Sequence, residues 1–472
     1  MNEDKKTIAK GAMFVLGGIV ISKIITYLWR IFIARYIGQE AYGIFSIALA
    51  LLGIATIFSV LGFSDGLLRF TSFYRARKKY NEAKGVLISV FSINFISTLS
   101  LSFLLVFFAP SFAKYFFHNS NITGPVYIVA LALPFFVFGN HFLTLLKSQM
   151  RVDYIALTQS IIEGFVKIIG TVVFFYIGYI ALAPILGYFI ALVGTFFLSM
   201  YFLFFKTDYA VILKEKAVYH WRELIIYSLP LMFVFFIASF LTYTDTMMLG
   251  YFTDNSITGI YNAALPTANL LSITMIAFSS LFFPLFIEKY SKKQYKEMNL
   301  LFKLIVKWIY LSMLPIFYIL MFFPEAILIF FFGPQYAQGS IALRILAVGY
   351  FIYCITGPTH EVLMTLKKQN LILTIMFSGS MINLILNYLL IPVYGISGAA
   401  TATSFSLIYI NLLSIYYVRK YLKIFPLDIN QLNGFFATLF AFIIIYFIVN
   451  IIFPTTPLYV LILSLTGYII IY

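Results

Sequence analysis

Apolar runs of about 20 residues, the length that crosses the hydrocarbon core of a bilayer as a helix, follow one another along most of the chain. Runs near 11–37, 41–63, 85–108, 122–146, 154–177, 180–205, 224–251, 257–287, 303–323, 340–364, 370–390, 396–418, 431–453 and 457–472 predict fourteen transmembrane helices. The last holds only fifteen residues from Leu458 to Tyr472, which predicts a short span or a trimmed end. The polar breaks alternate in charge. Basic residues gather at Lys5 to Lys10, Arg69 to Lys84, Lys147 to Arg151, Lys206 to Arg222, Lys289 to Lys303, Lys367 to Lys368 and Arg419 to Lys423, whereas the intervening breaks hold little beyond Arg35 and Lys114. Lysine and arginine in short loops stay on the cytoplasmic side. Both termini are therefore expected in the cytoplasm, with the chain in the plasma or inner membrane.

The pattern also repeats. Tyr36-Ile37, a polar turn and Gly43-Ile44-Phe45 return as Tyr251-Phe252, a similar turn and Gly259-Ile260-Tyr261, an offset of about 216 residues. Lys78 to Glu82 is echoed by Lys292 to Glu297, and Gly178 by Gly395. Helices one to six (1–206) thus form one lobe and seven to twelve (224–423) another, joined by a cytoplasmic linker (207–223) and followed by helices thirteen and fourteen (424–472). Each repeat holds an even number of spans, so the two lobes enter the membrane in one direction. Their pseudo-two-fold axis is then expected along the membrane normal, with a cavity between two six-helix bundles. The fold class is all-α, an integral membrane protein.

Composition narrows the function. Hydrophobic residues make up 62% of the chain and charged ones 10%, against about 45–50% and 25% in soluble domains. The net charge of +15 sits on loops too short to hold a nucleic-acid-binding domain, so it marks topology and contact with anionic lipid headgroups. The apolar stretch from Gly11 runs on through Lys23, Trp29 and Arg30 without a small-residue cleavage site, and reads as an uncleaved span. The lone Cys354 gives no disulfide framework. No phosphate-binding loop, Cys/His metal spacing or glycine-flanked serine nucleophile occurs, so no cofactor, metal or enzymatic activity is expected.

Charges inside spans are the candidate chemistry, because each costs about 2.5–3.5 kcal/mol to insert at the centre of a helix. Lys23 and Arg30 lie two turns apart on one face of the first helix, with Arg35 further toward its outer end. Superposing Tyr36 on Tyr251 sets Arg30 on Asp245, so opposite charges occupy equivalent places, and a bridge that forms in one access state is expected between them. Glu163 and Lys167 have the i, i+4 spacing of a helix-surface ion pair. Asp65 and Arg69 share it, although Ser64 or Asp65 equally suits a cap on a short interfacial helix. Arg344 lies early in the tenth helix and Glu361 near its other end. Ala264-Leu265-Pro266 and Ile355 to Pro358 read as bends.

Three stretches carry a family resemblance: Arg30-Ile31-Phe32-Ile33-Ala34-Arg35-Tyr36-Ile37-Gly38-Gln39-Glu40-Ala41-Tyr42-Gly43, Asp245 to Gly250 leading to Gly259-Ile260-Tyr261, and Tyr394-Gly395-Ile396-Ser397-Gly398-Ala399-Ala400. In their order and spacing the chain resembles the polysaccharide-biosynthesis flippases, of the O-antigen and lipid-linked oligosaccharide type, in the multidrug/oligosaccharidyl-lipid/polysaccharide exporter superfamily. The resemblance implies a V-shaped pair of bundles that moves a prenyl-(di)phosphate-linked oligosaccharide to the outer leaflet. It implies Lys23, Arg30 and Arg344 as headgroup ligands and Arg35 as an outer release contact. Asp245, Asp65, Arg69, Glu163, Lys167 and Glu361 are then candidates for gating or ion coupling. Partners expected are the lipid-linked oligosaccharide, membrane lipids and a polysaccharide polymerase or glycosyltransferases, around a monomeric chain. A multidrug or organic-cation antiporter of the same superfamily is the alternative, but it would want carboxylates to dominate its cavity.

Overall fold

The computed structural model describes residues 3–207 and 209–426, with 439, 440 and 443 beyond them. Expected spans thirteen and fourteen lie outside the described residues apart from those three. The regular structure described is all helical, and the chain divides into two compact units, Met1–Gly259 and Ile260–Tyr472.

The first unit contains α1 (Glu3–Tyr36), α2 (Gln39–Val60), α3 (Phe63–Ala76), α4 (Tyr80–Ser111), α5 (Thr123–Ser148), α6 (Val152–Ile155), α7 (Glu163–Ile177), α8 (Ala183–Phe205), α9 (Tyr209–Lys214), α10 (Trp221–Phe252) and the start of α11 (Asn255–Asn269). Between α6 and α7 the chain stays helical, but Ala156–Ile162 is wound as π-helix. Such widened turns displace side chains from the regular α register and recur at functional sites.

One tryptophan organises the packing of this unit. Trp29 of α1 is 2% exposed, meets Phe45 of α2 edge-on at 5.1 Å, and packs on Tyr188 of α8 at 5.9 Å. Its indole Nε1 donates to Thr171 Oγ1 of α7 at 2.9 Å, and that hydroxyl donates in turn to the Lys167 carbonyl at 2.6 Å. A single side chain thereby fixes four helices, and its one polar atom has the partner that burial demands.

The joint between α2 and α3 is the second fixed point. Leu61 and Gly62 turn left-handed, with φ of 51° and 75°, and stop α2. Gly62 also lets α10 come close, since a Cβ there would lie 2.2 Å from the Ser228 carbonyl. No side chain caps α3, so Asp65 lies inside its first turn and does not cap it. The carbonyl of Ser59, left over at the broken end of α2, accepts from Asn94 Nδ2 at 2.5 Å and Ser97 Oγ at 2.6 Å. Asn94 Oδ1 must then accept, so His141 Nε2 donates to it at 3.1 Å, and Nδ1 faces Ser64 Oγ at 3.4 Å.

Where α2 meets the first turn of α11, backbones touch in a reciprocal way. A Cβ on Gly43 would lie 1.8 Å from the Asn255 carbonyl, and one on Gly259 would lie 2.0 Å from the Gln39 carbonyl. The glycines are the equivalent residues of the sequence repeat, and so are Gln39 and Asn255.

The second unit holds α12 (Ser272–Ser291), α13 (Tyr295–Phe322), α14 (Pro324–Phe332), α15 (Ser340–Ile355), α16 (Thr359–Thr365) and α17 (Gln369–Leu422). At 1.5 Å per residue the 54 residues of α17 would reach about 80 Å, far more than a bilayer core of about 30 Å. Gly395, with φ 52° and ψ −127°, breaks it into two helices at the boundary expected between spans eleven and twelve. Ser404 Oγ donates to the Ile345 carbonyl at 2.8 Å and ties α15 to α17. The expected eighth span is bent by 40° between α11 and α12, after Leu270-Leu271, while Pro266 sits inside α11. Gly357, at φ 70°, separates α15 from α16.

Nine helices among the described residues are long and apolar enough to cross a membrane, and ten if the bent pair counts as one. Two expected spans merge in α17, and the charged α1 is not among the ten.

The contacts predict two measurements. Gly43→Ala pushes a methyl into a carbonyl and should cost about 1–3 kcal/mol, read as a lower unfolding temperature in detergent. Gly194→Ala, whose Cβ would meet nothing within 4 Å, should leave that temperature unchanged or slightly raised. Trp29→Ala should cost about 3–5 kcal/mol, and Trp29→Phe only the smaller part that belongs to its hydrogen bond.

Candidate functional site

Lys23, Thr26 and Arg30 recur at i, i+3 and i+7 on α1, while Gln159, Glu163 and Lys167 recur every four residues from the π-wound segment into α7. The two stripes line one cavity of about 370 Å³ inside the first unit, with Ser160 and Tyr188 completing its polar wall. That is within the usual size of a small-ligand site.

Three of the four charges in this cavity are held by neutral groups. Lys167, only 6% exposed, donates from Nζ to Thr26 Oγ1 at 2.8 Å, and its ammonium lies 5.1 Å from the Trp29 ring centroid. Arg30 Nη1 donates to the Tyr42 hydroxyl at 3.2 Å. Glu163 Oε2 accepts from Thr195 Oγ1 of α8 at 3.2 Å. Glu163 and Lys167 do not close as an ion pair within 4 Å, although their spacing allows it. The reason is local: Thr26 and Thr195 stand on different neighbouring helices and draw the two side chains apart. Lys23 is half-buried on the same wall.

The cavity therefore presents three cations and one carboxylate, with Arg30 and Lys167 resting on hydroxyls. A hydroxyl compensates a charge less than an opposite charge does. An incoming anion can displace it and form the direct ion pairs that Arg30 and Lys167 lack among the described residues, with Arg30 offering a planar fork and the lysines point charges.

The remaining sequence candidates lie elsewhere. Arg35 is exposed near the end of α1. Asp245 is buried on α10, 2% exposed, and the partner of Arg30 in this conformation is Tyr42 rather than Asp245. Asp65 and Arg69 form no ion pair, because the Arg69 guanidinium lies over the Tyr227 ring of α10 at 4.3 Å. Arg344 and Glu361 belong to the second unit. Arg344 is exposed, and its Nε donates at 3.0 Å to the Met321 carbonyl at the end of α13, the contact of a helix cap. Glu361 is partly buried in the first turn of α16. Among the described residues, no group of three or more His, Cys, Asp or Glu is placed to hold a metal.

A search for charges passes over Thr26, Gln159, Ser160 and Tyr188, which are neutral. Their signal was helical spacing from a charged residue: Thr26 from Lys23, and Gln159 from Glu163.

Comparison with known proteins places this geometry. The model of the family described as polysaccharide biosynthesis protein matches residues 8–290, and a second model, MatE, matches residues 230–389. The putative O-antigen transporter of Shigella flexneri is 23% identical over 407 residues, 85% of this chain and 95% of that protein. The probable low-salt glycan biosynthesis flippase of Haloferax volcanii is 25% identical over 39% of each chain. The fold matches the lipid II flippase MurJ in an inward closed conformation with a TM-score of 0.77, at 18% identity and 97% coverage of both chains. It matches an inward-facing multidrug resistance transporter with a TM-score of 0.74, at 13% identity over 87% of this chain and 98% of that one. With more than half its length matched, this multi-pass membrane chain belongs to the polysaccharide biosynthesis protein family.

Proposed function

We propose that the chain is a flippase that carries a prenyl-diphosphate-linked oligosaccharide from the cytoplasmic to the outer leaflet by alternating access. The observation that carries this reading is the cavity of the first unit, where Lys23, Arg30 and Lys167 face one space and the last two donate to neutral hydroxyls. A lipid diphosphate is an anion that must cross a low-dielectric slab, and cations in a wet cavity replace its lost hydration. Names of relatives that transport O-antigen or build glycans point the same way.

Lys23, Arg30 and Lys167 are the headgroup ligands in this reading. Arg35 is an outer release contact, and Asp245 a gate or ion-coupling group. Arg344 keeps the capping role that its backbone contact gives it. Fourteen helices in two six-helix bundles plus two, with a pseudo-two-fold axis along the membrane normal and both termini cytoplasmic, complete the proposal. The reciprocal contacts of Gly43 with Asn255 and of Gly259 with Gln39 support the axis, since a two-fold brings equivalent residues together in this manner. The assembled glycan would pass to a polymerase or glycosyltransferases.

Organic-cation antiport is the second reading, favoured by the MatE match over residues 230–389. The excess of cations over carboxylates in the cavity argues against it.

The test is translocation of a labelled prenyl-diphosphate oligosaccharide in proteoliposomes, scored by lectin accessibility. Wild-type protein should transfer the lipid, and Lys23→Ala and Arg30→Ala should each lower the rate by about tenfold or more, the cost of one lost charge-assisted contact. Efflux of an organic cation under an ion gradient, without lipid transfer, would select the antiporter.

A further inference from the structure

We propose that Glu163 determines which phosphate headgroup the cavity retains, by setting its charge to match a diphosphate esterified at both ends. The inference rests on the flippase reading and adds a selection rule to it.

Glu163 is the one carboxylate among the residues lining the cavity, against Lys23, Arg30 and Lys167. Its position argues against a purely structural role. A carboxylate kept to stabilise Lys167 would close on it, one helical turn away, yet Lys167 donates to Thr26 and Glu163 accepts from Thr195. The acid is held apart from the lysine by a hydroxyl on another helix, so it lowers the field of the whole cavity without cancelling one cation. Thr195 fixes that oxygen on α8, while Glu163 itself sits at the first residue after the π-wound segment.

With each group in its ordinary ionised form, three cations and one carboxylate leave a formal charge of two positive. A diphosphate joined to a lipid at one end and a sugar at the other has one strongly acidic hydroxyl per phosphorus, and with both ionised it carries two negative charges. A diphosphate with a free end has a further ionisation near pH 6, as phosphate monoesters do, and carries close to three. A single phosphodiester carries one. The cavity thus balances the doubly esterified diphosphate. The third charge of the free-ended one would enter without a cation to match it and beside the Glu163 carboxylate, losing its hydration unrepaid, which is discrimination by an unfavourable element rather than an added contact. The free-ended lipid is what remains before a sugar phosphate has been attached or after the glycan has been removed. A site that rejects it would not return unloaded carrier.

The full-length protein in lipid nanodiscs is titrated with two probes, farnesyl diphosphate and the farnesyl diphosphate esterified to N-acetylglucosamine. Wild type should bind the esterified probe about tenfold more tightly than the free-ended one. Glu163→Gln, which keeps the hydrogen bond from Thr195, should bring the two affinities to within about threefold, chiefly by tighter binding of free farnesyl diphosphate. Glu163→Asp, which keeps the charge, should retain the preference. An unchanged ratio in Glu163→Gln overturns the role of Glu163 while leaving the anion site standing. Failure of wild type to bind either probe overturns the flippase reading and this inference with it. A structural role alone would lower both affinities together and leave their ratio where it was, which also counts against the proposal.

Discussion

Lys167 is a buried cation whose direct partner is a threonine hydroxyl, and the arrangement of the first unit follows from accommodating it. An ammonium in the apolar interior of a helical bundle is tolerated only with hydrogen bonds and nearby compensating charge. Thr26 supplies one bond, the Trp29 ring supplies its negative face, and Glu163 supplies charge from a turn away without contact. Each of these needs α1, α7 and α8 held at fixed spacing. Trp29 does that through its contact with Thr171 and its packing on Phe45 and Tyr188.

Close backbone approach supplies the rest of the rigidity. In an apolar solvent helices gain little from burying leucine against leucine, so small residues at the contact and hydrogen bonds across it carry the association. Gly43 against Asn255, Gly62 against Ser228 and the Ser59, Asn94, His141 and Ser64 relay are of this kind. The relay also satisfies the carbonyl that the α2–α3 break releases, so a left-handed turn at Leu61-Gly62 leaves no orphan acceptor at Ser59. Two polar clusters of the first unit thus differ in kind: at the broken helix the freed carbonyl is bonded twice, and in the cavity Arg30 and Lys167 rest on displaceable hydroxyls.

Nine or ten apolar helices among the described residues were legible because bilayer thickness writes itself into run length, and Gly395 marked a boundary that α17 would otherwise have hidden. The bend after Leu270-Leu271 was not legible, since Pro266 nearby is the stronger local signal and yet lies within α11. The site was half legible. Lys23 and Arg30 stood out by charge and periodicity, and they do share a wall. Spacing alone set Glu163 against Lys167 and Asp65 against Arg69, because i, i+4 geometry says what can meet and nothing about competitors on other helices. Thr26, Thr195 and Tyr227 are those competitors, and they are 141, 32 and 158 residues away in sequence.

The central claim is that hydroxyl-held Arg30 and Lys167, with Lys23 on the same wall, await a phosphate anion. Structure determination of the full chain with a thiophosphate-substituted farnesyl diphosphate would locate the headgroup by the anomalous signal of its sulfur. The account predicts sulfur density in the cavity of Lys23, Arg30 and Lys167, with Lys167 Nζ moved from Thr26 Oγ1 onto a phosphate oxygen. Headgroup density outside that cavity, with Lys167 still on Thr26, would contradict it.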